Sequence, residues 1–283
     1  VKKFVIFLVV LIVVLALISL VIALLHKGGV PIGDKVALVR IEGPIIDSKN
    51  AMDEIKEYAK DPSIKAIILR VDSPGGAVAP SQEIYEEVRK ATAKKKVVVS
   101  MGSLAASGGY YISSPATRIV ANPGTLTGSI GVIMEIPNIE GLMSKVGVKT
   151  EVIKSGRHKD IASMFRGVGK EERVILQGVL DDVHEQFIKS VAEGRKMLPE
   201  EVRRLADGRI FTGKQALDAG LVDELGNLDD AIKTAAKLSG IKGEPEVVSK
   251  KERLSFIDLL RGKFPKEFSD IFPAVKIKYV FSP

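Results

Sequence analysis

The chain has 283 residues, no Cys and only three His, at positions 26, 158 and 184. Those counts narrow the chemistry it can do. Without Cys there is no thiol nucleophile, disulfide framework, iron–sulfur cluster or cysteine zinc site. The His residues have no ligand-like spacing, so no metal or other cofactor is expected. A nucleophile must then be Ser, Thr, Lys or a carboxylate. A hydroxyl nucleophile needs a base. His26 lies beside a long apolar run and His184 in a helical pattern, so among the histidines only His158, in KSGRHKD, could serve. The alternative is lysine. Its amine has a pKa of about 10.4, so roughly one in 2,500 is neutral at pH 7, and burial lowers that value by about 3–5 units.

Three Ser- and Gly-rich segments could hold such a pair. In SMGSLAASGGYYISS (100–114), Ser107 follows an apolar strand pattern and precedes Gly108–Gly109. A strand-to-helix turn there exposes a side chain to substrate, with the positive end of the next helix favouring developing negative charge. The segment resembles the G-x-S-x-G elbow without matching it, and it reads equally as a small-residue contact between helix and sheet. In DSPGGAV (72–78), Gly75–Gly76 could offer bare backbone N–H groups to a carbonyl oxygen, or simply form a type II turn. TLTGSIG (125–131) is a third such turn.

These segments sit in an α/β pattern. KVALVRIEG (35–43), KAIILRVD (65–72) and KVVVSMG (96–102) read as strands, the second apolar enough to be buried on both faces of a parallel sheet. Helices are expected at 48–61, with Ser48 as N-cap, and at 79–96, with another in SGGYYISSPA. RIVANPG and SIGVIMEI read as short strands. The second half is more helical. In 171–197, Leu176, Leu180, Val183, Phe187 and Val191 share one apolar face, and Pro199 opens a further helix at 199–207. RIFTG is a short strand and turn, and KQALDAG and DDAIKTAAKLSG are helices closed by glycine. The alternation of strand and helix argues a parallel-sheet architecture.

Residues 4–25 hold 21 apolar residues and one Ser. As a helix they measure about 33 Å, enough to cross the bilayer core. The run is too long for a cleaved signal peptide and lacks an A-x-A site after it. It reads as a signal anchor over 1–27, followed by a tether at 28–34, a catalytic domain at 35–242 and a basic, apolar tail at 243–283. Lys2 and Lys3 precede the run, so the N-terminus is expected in the cytoplasm and the domain outside it, in a single pass of the cell membrane. The net charge of +7 leaves +4 beyond residue 27, no nucleic-acid signature.

In order, SPGG, MGSLAASGGYYIS, TLTGSIGVIM, KSGRHKDIAS and ADGRIFTGKQALDAGLVDELG resemble the signal peptide peptidase SppA (protease IV) family in its short, single-anchor form. The resemblance covers roughly residues 36–240. It implies a ClpP/crotonase-like β-β-α spiral and a serine endopeptidase with a Ser-Lys dyad. Ser107 matches the nucleophile, Lys159 the general base, Ser129 the residue that orients the lysine, and Gly76 the oxyanion donor, with Gly108 nearby. It implies substrates that are residual signal peptides and other hydrophobic peptides at the membrane, cut near small or hydrophobic residues. It also implies a ring-like homo-oligomer whose neighbouring copies share sites. Two other readings compete: an inactive membrane scaffold and a crotonase-type acyl-CoA enzyme.

Overall fold

The computed structural model describes residues 11–17, 34–250 and, for the backbone, 277–280. The expected anchor at 4–25 lies outside the described residues except for 11–17, which are helical (α1). Among the described residues no helix is long and apolar enough to cross a membrane.

From residue 34 onward the elements alternate as the apolar pattern demands. The first half runs β1 (Lys35–Glu42), α2 (Lys49–Lys60), β2 (Ile64–Ser73), β3 (Gly75–Ala77), α3 (Val78–Thr92), β4 (Lys96–Ala106), α4 (Gly108–Ser113), β5 (Arg118–Ala121), β6 (Leu126–Gly128) and β7 (Ile133–Met134). The second half runs α5 (Glu140–Lys145), α6 (Lys170–Arg195), α7 (Pro199–Leu205), β8 (Ile210–Thr212), α8 (Gly213–Asp218), β9 (Glu224–Leu225), α9 (Leu228–Leu238), β10 (Glu246–Val248) and β11 (Ile277–Val280).

The main sheet has the order β10-β1-β2-β4-β5-β9, with β6 and β8 continuing from the far end of β4. Its pairs are parallel except β6–β8. Both faces are covered, as a parallel sheet requires. Ala37, Val39, Ile67, Leu69, Val97 and Val99 face a core shared with the helices of one side. The alternate residues Val36, Leu38, Ala66, Ile68 and Val98 pack with Ala231 and Ala235 of α9 on the other. The sheet includes β10, four residues past the expected end of the catalytic domain at 242. A second, antiparallel sheet has the order β3-β11-β7 and lies at the end of the main one.

Three expectations differ in detail. Ser48 occupies the N-cap of α2, but its hydroxyl donates to Glu83 instead of capping the helix. β4 does not stop at Gly102; it continues to Ala106. Of the expected strand at 129–136 only Ile133–Met134 is extended, because Gly128 and Ser129 take positive φ and turn the chain out of the sheet.

Candidate active site

Ser107 ends β4 and caps α4 with φ 53° and ψ −117°, a conformation that costs a non-glycine residue about 1–3 kcal/mol. The fold overdetermines it. Its N–H donates to Gly128 O at 2.8 Å, and its C=O accepts from Tyr111 N–H at 2.8 Å. α4 is fully buried and tethered by its tyrosines: Tyr110 donates to Leu221 O at 2.9 Å, and the Tyr111 and Ser190 hydroxyls pair at 2.9 Å. The Ser107 side chain is buried, yet its Oγ has no hydrogen-bond partner among the described residues. A buried hydroxyl left unpaired at a strained position marks a working group better than a packing residue.

Gly75 and Gly76 lie against it. A Cβ on Gly108 would stand 3.1 Å from Gly75 Cα and 3.2 Å from Gly76 N, so the two glycine segments are in backbone contact. Gly75 C=O accepts from Ile45 N–H at 2.8 Å, and Ala77 N–H donates to Ile45 O at 2.8 Å. Strand backbone groups alternate in direction, so the Gly76 N–H and C=O face the other way. On that side lies β11, with Tyr279 in register with Gly76 and antiparallel to it. The groove beside Ser107 therefore holds an extended backbone, bounded on its far side by β7.

Ser129 lies one residue past the register pair Ala106–Gly128, which sets it beside Ser107 at the ends of parallel β4 and β6. It too has positive φ, 50°, and its N–H donates to Arg209 O at 2.8 Å. A cleft of about 440 Å³ opens there, lined by Ser129, Ile133, Leu180, His184 and Asp207 among others. Four of the expected site residues, Gly76, Ser107, Gly108 and Ser129, thus come together.

Lys159 does not join them within one chain. It is exposed, in a turn where its N–H donates to Gly156 O at 3.1 Å. That turn belongs to an arm, residues 135–169, which carries α5 with no buried residue. His158 beside it packs near Glu171, its Nε2 3.6 Å from Oε1, and its Nδ1 is unpartnered. Arg166 braces the arm. It donates to Glu172 at 2.6 and 2.8 Å and to Asp160 Oδ2 at 2.9 Å, next in sequence to Lys159. Arg166, helped by the Gly169 N–H, holds Glu172 down at about 2, well below its ordinary 4.5. Arg166, then Lys154, likewise lowers Asp160. A depressed carboxylate contributes stability above its ordinary value and loses it as pH falls toward the folded value. The arm should therefore loosen between about pH 4.5 and 2 while the sheet persists. Hydrogen exchange at pH 7 and pH 3 checks this, and equal protection of 155–169 at both would refute it.

Sequence reading missed Asp72 and Ser73, which touch both halves of the site, and the register that sets β11 against Gly76. The only sequence signal for the former was their place just before Pro74-Gly75-Gly76. Among the described residues no cluster of three His, Asp or Glu could hold a metal.

Residues 89–242 match the peptidase family S49. The chain belongs to that family. An S49 peptidase is a serine-type protease, and the parallel-rich α/β sheet fits the ClpP-like fold of the family. The similarity extends to named proteins. A Synechocystis sp. protein named as a protease is 47% identical over 208 residues, covering 73% of this chain and 75% of that one. Protease 4 of Salmonella typhi is 40% identical over 220 residues, 74% of this chain and 35% of its own. A protein named signal peptide peptidase SppA in Enterococcus faecium is 39% identical over 192 residues, 67% of this chain and 55% of its own. The chain thus spans only about a third of the Salmonella protein. The resemblance drawn from the motifs to the SppA family agrees with these matches.

Proposed function

We propose that this S49 peptidase is a membrane-anchored endopeptidase that cuts residual signal peptides and other hydrophobic peptides with a Ser107–Lys159 dyad completed between copies of the chain. The carrying observation is the unpartnered Ser107 hydroxyl beside a groove in which an extended backbone already lies antiparallel to Gly75–Ala77. A peptide added the same way presents a carbonyl to the Gly76 N–H.

In this reading Lys159 Nζ of a neighbouring copy takes the Ser107 proton as Oγ bonds to the scissile carbonyl carbon. The carbonyl electron pair moves onto oxygen, where the Gly76 and Gly108 N–H groups receive it. Ser129 orients the lysine. Collapse breaks the C–N bond and the lysine gives its proton to the leaving amine. Water, deprotonated by the same lysine, then attacks the acyl carbon, the C–Oγ bond breaks, and the lysine returns that proton to Ser107 Oγ. A lysine does this only when unprotonated, which requires burial away from other cations. Exposure of Lys159 in the single chain supports a site closed by a neighbour. So do the exposed apolar residues of the arm and of the first half of α6, including Ile153 at 96% and Val174 at 72%. A ring of copies would cover them.

The apolar run at 4–25 supports anchoring, and the Lys2–Lys3 charge supports an extracytoplasmic domain. The name of the Enterococcus relative supports the substrate class. The inactive-scaffold reading draws on the same separation of Lys159 from Ser107. Mixing separately inactive Ser107→Ala and Lys159→Ala chains decides between them. Recovery of fluorogenic-peptide hydrolysis establishes the shared dyad, and activity intact in either single variant removes it.

The strand in the groove has its own consequence. Deleting 277–283 vacates the Gly76 N–H. If the tail covers the groove nine-tenths of the time, kcat/KM should rise about tenfold with kcat little changed. Steady-state kinetics of the truncated chain measures it, and unchanged kinetics would show that β11 does not compete with substrate.

A further inference from the structure

The nucleophile and the oxyanion donor come from different strands, β4 and β3, and nothing covalent close by sets their separation. Both are held by the last two residues of β2. Pairing of β2 with β4 runs regularly to Val71–Met101 and resumes at Ser73–Ala105. Asp72 therefore faces three residues of β4, Gly102, Ser103 and Leu104, which bulge outward. The Asp72 carboxylate fills the bulge. Its Oδ1 accepts from Leu104 N–H at 3.0 Å, and its carboxyl atoms lie 2.6–2.8 Å from where a Gly102 Cβ would be. Before the bulge β4 pairs with β5; from its last residue onward, Leu104–Ala106 pair with β6. The bulge thus hands β4 from one neighbour to the other and delivers Ser107 N–H to Gly128 O.

Ser73 does the corresponding work on the other strand. It is wholly buried, and its Oγ accepts from Gly75 N–H at 3.1 Å. Gly75 has φ 93°, and its C=O takes the Ile45 N–H. The Gly75–Gly76 peptide is trans, so fixing Gly75 at both its N–H and its C=O fixes the direction of the Gly76 N–H. The Ser73 carbonyl meanwhile lies 2.7 Å from where a Gly109 Cβ would be, directly against the turn after Ser107.

We propose that Asp72 and Ser73 are positioning residues, Asp72 for the Ser107 strand and Ser73 for the Gly76 N–H. Successive residues of a strand point to opposite faces, which lets one dipeptide grip two different strands. The proposal rests on the assignment of Ser107 and Gly76 above.

The test uses the full chain with Asp72→Ala, Asp72→Asn, Ser73→Ala and Ser73→Thr. Ser107→Ala serves as the activity blank. Ser114→Ala is the structural control, a buried serine whose hydroxyl donates to Tyr111 O at 2.8 Å. Ser73→Ala should lower kcat on the order of 10- to 100-fold with KM within about twofold. It should weaken a peptide aldehyde inhibitor, whose adduct places an oxyanion in the same spot, in parallel with kcat/KM. Asp72→Ala should slow fluorophosphonate labelling of Ser107 by a similar factor. Asp72→Asn, which keeps the acceptor oxygen, and Ser73→Thr, which keeps the hydroxyl, should restore most of each loss. A kcat per folded molecule that stays at the starting value in both alanine variants, as in Ser114→Ala, overturns the proposal while leaving the Ser107 assignment standing. Activity that survives Ser107→Ala overturns the assignment and the proposal with it.

Discussion

Ser107→Ala should abolish peptidase activity, with kcat falling by a factor on the order of 10⁴ or more, and yet make the chain more stable. The first part follows from losing the proposed nucleophile. The second follows from burial. The Ser107 hydroxyl is enclosed with no hydrogen-bond partner among the described residues, so the folded state carries its desolvation with no return. Removing it should recover about 1 kcal/mol, or roughly 2–4 °C in Tm for a domain of this size. The gain is best read in a Lys159→Ala background, where the amine proposed to meet that hydroxyl is absent. Thermal denaturation followed by circular dichroism measures it. A Tm below that of the Lys159→Ala parent would mean the hydroxyl has a partner and the site is arranged differently.

Gly76→Ala should be among the most damaging one-carbon changes in the domain. The added Cβ would lie 2.1 Å from Ile45 O and 2.7 Å from Ile45 C and N. These are backbone atoms, and Ile45 O and N are themselves tied to Ala77 and Gly75, so no side chain can rotate away. β3 must shift, at a cost of at least the 1–3 kcal/mol typical of overpacking. The shift would take the Gly76 N–H off its line, and kcat should fall on the order of 10²–10³-fold. Gly124→Ala and Gly141→Ala, where nothing stands within 4 Å, provide the comparison and should leave both Tm and kcat unchanged. A Gly76→Ala chain with near-normal kcat would remove Gly76 from the oxyanion hole.

What the sequence made legible follows from the range of the interactions involved. The continuous run KAIILRVD identified a strand covered on both faces because local hydrophobicity alone carries that signal, and β2 has both cores against it. Gly102 misled, since a glycine inside a strand pattern reads as an end. Here it is small because the Asp72 carboxylate occupies the space of its side chain, a contact 30 residues distant in sequence. The apolar face of α6 was drawn unbroken, yet only its second half is core. Phe187 and Val191 are buried, whereas Leu176 and Leu180 line open clefts. Periodicity reports an apolar face without reporting what covers it. Residue type and context single out Ser107 and Gly75–Gly76, the family resemblance adds Ser129 and Gly108, and sheet register brings them together. The basic, apolar tail allows a strand packed on the domain or a segment near the groove, but the register of 278–280 against 75–77 leaves no local trace.

That strand also sets the terms on which outside peptides compete. β11 belongs to the same chain as β3, so its pairing is intramolecular and has an effective concentration of order millimolar. A peptide of equal intrinsic affinity, dissolved at micromolar level, is outnumbered about a thousandfold for the same backbone groups. In the proposed membrane-anchored state, a peptide confined to the same layer as the enzyme is not. The groove can thus discriminate by local crowding. Cleavage would then depend less on the residues flanking a bond than on how long that bond stays near the anchored enzyme.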